Sequence, residues 1–304
     1  MAKVADNVLD VVGDTPLVRL RRVVPEGHAR VLGKMECLNP AGSVKDRVAL
    51  AMVEAAEREK GLGPGDVIVG VTSGNTGVSL AMVAAVRGYS LVIFMPENAP
   101  AERRRLLARY GADIRLTPAY QGMSSAQQAA RAYTAANPGC TVLDMFNDPS
   151  VVRVHRETTA AEILRDAQGR IDAFVAGVGT GGTLTGVGQR LKKENPSLKI
   201  VAVEPASSPV LSRGVAGLHT IPGIGADFHP PLLDRAVPDE IVAVTGEDAN
   251  AMCLRLAREE GILAGVSSGA NVVASIRTAS ELGRGSTVVT VLADTGERYV
   301  NFPM

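Results

Sequence analysis

Short, largely apolar runs recur along this chain and alternate with longer alanine-rich stretches, and no other feature narrows the possible folds so far. The runs are Val67-Ile68-Val69-Gly70-Val71, Leu91-Val92-Ile93-Phe94-Met95, Phe174-Val175-Ala176, Ile200-Val201-Ala202-Val203 and Thr287-Val288-Val289-Thr290-Val291-Leu292. Unbroken apolar character suits strands covered on both faces, because a strand with one wet face would alternate. Helical patterns fall at 48–60, 78–86, 101–110, 124–136, 154–167 and 249–260. Strands alternating with helices predict mostly parallel, twisted sheets joined by crossovers, an α/β fold. A chain of 304 residues has material for two such units. The Pro/Asn-rich patch from Asn137-Pro138-Gly139 to Asn147-Asp148-Pro149 is the best candidate for the crossing between them. Ligands in this architecture gather at the carboxyl ends of strands.

Bulk chemistry excludes several classes of partner. Thirty-two acidic groups balance thirty-two basic ones and tryptophan is absent, which argues against nucleic acid and anionic membranes and for a small molecule. Cys37, Cys140 and Cys253 are far apart and odd in number, and read as incidental thiols in a reducing compartment. His28, His155, His219 and His229 have no metal-binding spacing, so no metal is expected. No apolar run reaches membrane-spanning length and the N-terminus lacks the pattern of a signal peptide. The expectation is a cytoplasmic protein.

Four turns carry the chemistry. Asn39-Pro40-Ala41-Gly42-Ser43-Val44-Lys45-Asp46-Arg47 sets one lysine just after a Pro/Gly turn, where a helix begins. A helix start disfavours a second positive charge, which would help to lower a lysine's pKa and make its amine a nucleophile. After Val71, Thr72-Ser73-Gly74-Asn75-Thr76-Gly77 offers hydroxyls, an amide and glycines at a helix N-terminus, an anion cradle. Gly177-Val178-Gly179-Thr180-Gly181-Gly182-Thr183 can wrap a phosphate with backbone N–H groups. It also contains a formal G-x-G-x-x-G, with Glu204 where a Rossmann acidic residue belongs, so a dinucleotide oxidoreductase competes on this motif alone. Gly265-Val266-Ser267-Ser268-Gly269-Ala270 leads into a further helix.

In this order and spacing the four motifs resemble the fold type II pyridoxal phosphate enzymes, the group of the tryptophan synthase β type. The likeness is closest to the A-type cysteine synthases, or O-acetylserine sulfhydrylases, and it runs from Gly13 to Tyr299. It displaces the dinucleotide reading of Gly177 to Gly182.

The resemblance implies two α/β domains, a larger cofactor-binding one of 1–41 plus 147–304 and a smaller, mobile substrate-loop one of 42–146. It implies that Lys45 holds pyridoxal 5'-phosphate as a Schiff base and moves the substrate's α-proton. Gly179, Thr180, Gly181, Gly182 and Thr183 would bind the cofactor phosphate and Asn75 its ring hydroxyl. Thr72, Ser73, Gly74 and Thr76 would bind the substrate carboxylate, and Gly223 lies in a loop expected over the cofactor. Ser267 would face the pyridine nitrogen, where a neutral hydroxyl makes a weaker electron sink than an aspartate partner and suits β-replacement through an aminoacrylate. The implied reaction takes O-acetyl-L-serine and sulfide to L-cysteine and acetate. Related implications are a homodimer, a weakly active scaffold that binds the C-terminal tail of serine acetyltransferase, and chemistry of the cystathionine β-synthase, O-phosphoserine or specialised amino-acid synthase kinds.

The chain departs from the pattern in two places. Met145, in Leu143-Asp144-Met145-Phe146-Asn147, stands where the family usually has a glutamine that helps hold the carboxylate. The segment Val300-Asn301-Phe302-Pro303-Met304 replaces the usual continuation after Tyr299 and bears on the dimer.

Overall fold

The computed structural model describes residues 4–300, so most of the divergent C-terminal segment lies outside the described residues. In chain order the strands are β1 (Leu17–Leu20), β2 (Arg30–Met35), β3 (Val67–Val71), β4 (Ser90–Pro96), β5 (Asp113–Thr117), β6 (Cys140–Leu143), β7 (Ala173–Gly177), β8 (Lys199–Pro205), β9 (Glu240–Val244) and β10 (Thr287–Leu292). The helices are α1 (Lys45–Lys60), α2 (Asn75–Arg87), α3 (Ala101–Arg109), α4 (Gly122–Ala136), α5 (Ser150–Val154), α6 (Ala160–Asp166), α7 (Gly182–Glu194), α8 (Val210–Arg213), α9 (Gly246–Arg255) and α10 (Val266–Leu282). Packing divides the chain into two units, one of residues up to Val12 with Asn39–Ser150, the other of Gly13–Leu38 with the chain from Val151 onward. Residues 4–12 thus group with the smaller unit, because the 3-10 turn Val8–Val11 packs on α2.

The smaller unit is built on a four-stranded sheet, order β5-β4-β3-β6, parallel throughout. Val69, Val92 and Phe94 pack against Ala126 and Ala130 of α4 on one face. On the other face Gly70 lies so close to Ile93 and to Leu80 of α2 that a Cβ there would come within 2.8 Å of Ile93 Cδ1. Cover on both sides is why β3 and β4 lack polar alternation.

The larger unit has a six-stranded sheet, order β1-β2-β10-β7-β8-β9, parallel except for β1, which runs antiparallel to β2. Alternate residues divide between two cores. Val175, Val201, Val203 and Val288 join Ala249, Met252, Ala270 and Ala274 of α9 and α10. Phe174, Ala176, Ile200, Ala202 and Val289 join Ile163, Leu184, Val187 and Leu191 of α6 and α7.

Five strands escape the apolar-run criterion, and each has a reason. β1, β5 and β9 are sheet edges, and β5 exposes Asp113 and Arg115 to solvent. β6 is short, and β2 is interrupted by Gly33-Lys34. Helix boundaries also shift. α1 opens at Lys45, three residues before the expected start at 48. The pattern expected over 154–167 is a continuous helical stretch from Ser150 to Asp166 whose middle turn, His155–Thr159, is a π-helix. A second π turn, Leu256–Glu260, follows α9.

Lys34 is fully buried in the larger unit. Its Nζ lies 2.6 Å from Glu162 Oε2 and 3.9 Å from Asp166, and it donates to the Thr15 carbonyl. The Thr15 hydroxyl in turn donates to Glu36 at 2.6 Å. Removing one member of such a pair strands a buried charge, at a cost of about 3–5 kcal/mol, whereas replacing both by apolar groups is often near neutral. Urea unfolding therefore shows Lys34→Met destabilised by about that amount, with much of the loss recovered in Lys34→Met/Glu162→Leu. A double variant less stable than the single one contradicts this account of the pair.

Candidate active site

In the smaller unit, Lys45 is the first residue of α1 and is half-buried. The loop before it is fixed from several sides. The Lys45 N–H donates to Ser43 Oγ at 3.2 Å and the Gly42 N–H to the Asn39 carbonyl at 2.7 Å. Asp46, fully buried, accepts the Ala41 N–H at 2.6 Å and the Ser79 hydroxyl at 2.5 Å. One carboxylate thus ties the lysine loop to α2, so the backbone that carries Lys45 is set relative to the Thr72–Gly77 turn. No local pattern in the sequence assigns Asp46 this role, because its partner Ser79 is 33 residues away.

The Thr72–Gly77 turn joins β3 to α2 and is pinned at both ends. The Thr72 N–H donates to the Phe94 carbonyl at 3.2 Å and the Gly74 N–H to Thr72 Oγ1 at 3.0 Å. Gly74 is the N-cap of α2 and Asn75 its first residue, with no side-chain cap from the N-cap, and the Gly77 N–H donates to the Gly74 carbonyl at 3.3 Å. Arg103 of α3, which is buried, donates to the Ser73 carbonyl at 3.1 Å. It lies among Arg104, Arg105 and Arg109, and nothing in the sequence distinguishes it. The Thr76 hydroxyl donates to Met145 Sδ at 2.9 Å, so the departure from the family pattern sits directly on this turn.

In the larger unit, the strand-to-helix turn after β7 leads into α7, whose N-cap is Gly181 at φ +85. A Cβ at Gly181 would lie 2.8 Å from Leu233, and one at Gly179 would lie 2.5 Å from the Gly223 carbonyl oxygen. Glycine is therefore demanded at Gly181 by both conformation and space, and at Gly179 by space. The Gly182 N–H meets Thr180 Oγ1 at 3.3 Å, and the first-turn N–H groups of Thr183 and Leu184 have no intrahelical acceptor. Gly223 also lies near Ser267, since a Cβ on it would be 3.7 Å from Ser267 Oγ. Gly179, Gly223 and Ser267 are thereby brought together. Ser267 is buried at the start of α10, and its hydroxyl makes no hydrogen bond among the described residues. Its neighbour Ser268 instead accepts the Ala293 N–H at 2.9 Å.

Other candidates drop out. Glu204 is buried and accepts the Leu211 N–H at 2.7 Å and the Ser212 hydroxyl, which caps α8 and leaves it committed to the fold rather than to a ribose. Burial pushes the Cys37 and Cys253 thiols up to about 11, with Asp294 adding to the rise in both, so neither is a thiolate nucleophile near neutrality. No group of metal-binding side chains occurs among the described residues, and no helix there is long and apolar enough to cross a membrane.

Comparison with known proteins places the chain in a family. A family model described as pyridoxal-phosphate dependent enzyme matches residues 8–294. A cysteine synthase of Staphylococcus aureus is 50% identical over 303 residues, covering 99% of this chain and 97% of its own. A solved O-ureido-L-serine synthase superposes with a TM-score of 0.95 at 44% identity, over 98% of this chain and 94% of that one. A solved cysteine synthase of Entamoeba histolytica gives a TM-score of 0.95 at 37% identity, over 99% and 90%. The chain belongs to the pyridoxal-phosphate dependent enzymes, in their cysteine synthase branch.

Proposed function

We propose that this protein makes L-cysteine and acetate from O-acetyl-L-serine and sulfide. The observation that carries the reading is Ser267, a buried residue at the start of α10 whose hydroxyl has no partner among the described residues, in a chain half identical to a cysteine synthase. The residues fit pyridoxal phosphate. The Gly179–Thr183 turn presents unpaired N–H groups where added side chains would clash, a cradle for a phosphate. Ser267 offers a neutral hydrogen-bonding group of the kind that suits the pyridine nitrogen.

When bound, the cofactor supplies a carbonyl for amine attachment and a conjugated ring that spreads charge from the substrate's α-carbon. The chain's own residues do the rest. Lys45 would hold the cofactor through its amine and move the substrate's α-proton as the general base. Asn75 would hydrogen-bond the ring hydroxyl. The hydroxyls of Thr72 and Ser73, on the turn that Gly74 closes, hold the substrate carboxylate, and Gly223 belongs to the covering loop. Thr76 contributes less than its position suggests, because its hydrogen points at Met145. Residues 42–146 act as the mobile substrate-loop domain. The protein works as a cytoplasmic homodimer and, like A-type relatives, accepts the C-terminal tail of serine acetyltransferase.

Met145 favours a second reading, β-replacement with a different nucleophile, and one solved relative is named for a product other than cysteine, O-ureido-L-serine. A panel of donors (O-acetylserine, O-phosphoserine, serine) against nucleophiles (sulfide, homocysteine, hydroxyurea) separates the two. Highest kcat/KM with O-acetylserine and sulfide supports the cysteine reading, and a clear preference for another nucleophile replaces it. Lys45→Ala lowers kcat by about a thousandfold or more, in line with loss of the general base. Full turnover in that variant removes Lys45 from the chemistry. Met145→Gln restores an amide donor and frees the Thr76 hydroxyl, so KM for O-acetylserine falls about tenfold. A KM that is unchanged or raised shows that the carboxylate is not held there.

A further inference from the structure

The π turn His155–Thr159 places a buried imidazole behind the phosphate cradle. His155 Nε2 lies 3.1 Å from Thr183 Oγ1, and Nδ1 lies 3.0 Å from Thr159 Oγ1. The approach depends on a glycine one turn further along α7. A Cβ at Gly186 would lie 2.4 Å from the Val152 carbonyl oxygen and 2.9 Å from His155 Cβ. With no side chain there, α7 comes against the π turn closely enough for the ring to reach the hydroxyl. π turns are rare and concentrate at functional sites.

The hydroxyls bear on the direction of the hydrogen bonds. Each threonine has one hydrogen to donate, and a neutral imidazole has one N–H and one lone pair. Thr158 gives its hydrogen to the Val154 carbonyl at 2.7 Å, the usual back-bond within a helix. Thr159 makes no such bond among the described residues, so its hydrogen is available for His155 Nδ1. With that hydrogen given to Nδ1, a neutral ring carries its own on Nε2, 3.1 Å from Thr183 Oγ1. In the opposite tautomer Nε2 would consume the Thr183 hydrogen, and that hydroxyl would have nothing to donate to a phosphate.

We propose that His155 is a positioning residue for the cofactor's phosphate: as the neutral Nε2–H tautomer, set by Thr159, it donates to Thr183 Oγ1 and so aims the Thr183 O–H into the cradle. The inference rests on the reading that Gly179–Thr183 hold the phosphate of pyridoxal phosphate.

The test combines nitrogen-15 NMR of histidine-labelled holoenzyme with equilibrium dialysis of full-length variants against graded pyridoxal phosphate. The expected spectrum shows one neutral histidine protonated at Nε2 and coupled across to Thr183. Thr183→Val weakens cofactor retention about tenfold and His155→Phe does the same, by loss of one hydrogen bond to a charged group. Because both changes remove one interaction, His155→Phe/Thr183→Val is no weaker than Thr183→Val alone. His155→Gln, which still donates to Thr183, stays within about threefold of the wild type, a recovery that loss of packing alone would not give. Wild-type retention in His155→Phe, losses that multiply in the double variant, or a ring protonated at Nδ1 overturns the proposal while leaving the cradle intact. Unchanged retention in Thr183→Val overturns the cradle reading and the proposal with it. Should His155→Phe not fold, the NMR assignment and His155→Gln decide the matter.

Discussion

A helix that starts just beyond the carboxyl end of a parallel strand leaves its first N–H groups without partners, and this deficit shapes the chain's chemistry. β3 ends at Val71 and α2 begins at Asn75, while β7 ends at Gly177 and α7 begins at Gly182. Neither helix has a side-chain cap. In a protein without ligands such an end is commonly satisfied by a Ser, Thr, Asp or Asn at the N-cap, as α9 is by Thr245. Here glycines occupy both N-caps, so no N-cap side chain competes with an anion for the donors that remain, such as the Thr183 and Leu184 N–H groups of α7. The parallel sheets impose the positions of these ends, and the turn residues decide that they are left uncapped.

The buried polar groups sort by whether the fold already satisfies them. Asp46 is committed to Ala41 and Ser79, Glu204 to the start of α8, and Lys34 to Glu162 and Thr15. Each would cost several kcal/mol if left alone, about 3–5 for a member of a buried ion pair, so each is a structural fixture. Ser267 differs, being buried with its hydroxyl unspent. The same distinction underlies the direction proposed for His155, because Thr159 makes no back-bond among the described residues while Thr158 does.

Much of this was legible in the sequence, for physical reasons. β3, β4, β7, β8 and β10 read clearly because cover on both faces demands continuous apolar residues, and the edge strands did not because solvent allows Asp113 and Arg115. The turns were legible because glycine and small hydroxyl residues in succession exceed what a turn needs. Long-range partnerships were not. Asp46 with Ser79, Arg103 with the Ser73 carbonyl and His155 with Thr183 join residues about 30 apart, and no local pattern records them. Met145 could be seen as a departure from the family, but its effect on Thr76 required the side-chain geometry.

The claim on which the rest depends is that Lys45, alone among the chain's lysines, carries the cofactor. Borohydride fixes a reversible carbonyl–amine link as a stable secondary amine, so treated protein can be digested and each lysine-containing peptide weighed. The account predicts a phosphopyridoxyl mass on the peptide that contains Lys45 and on no other. Purified protein that gains no such mass after incubation with pyridoxal phosphate, or that carries it on another lysine, contradicts the account.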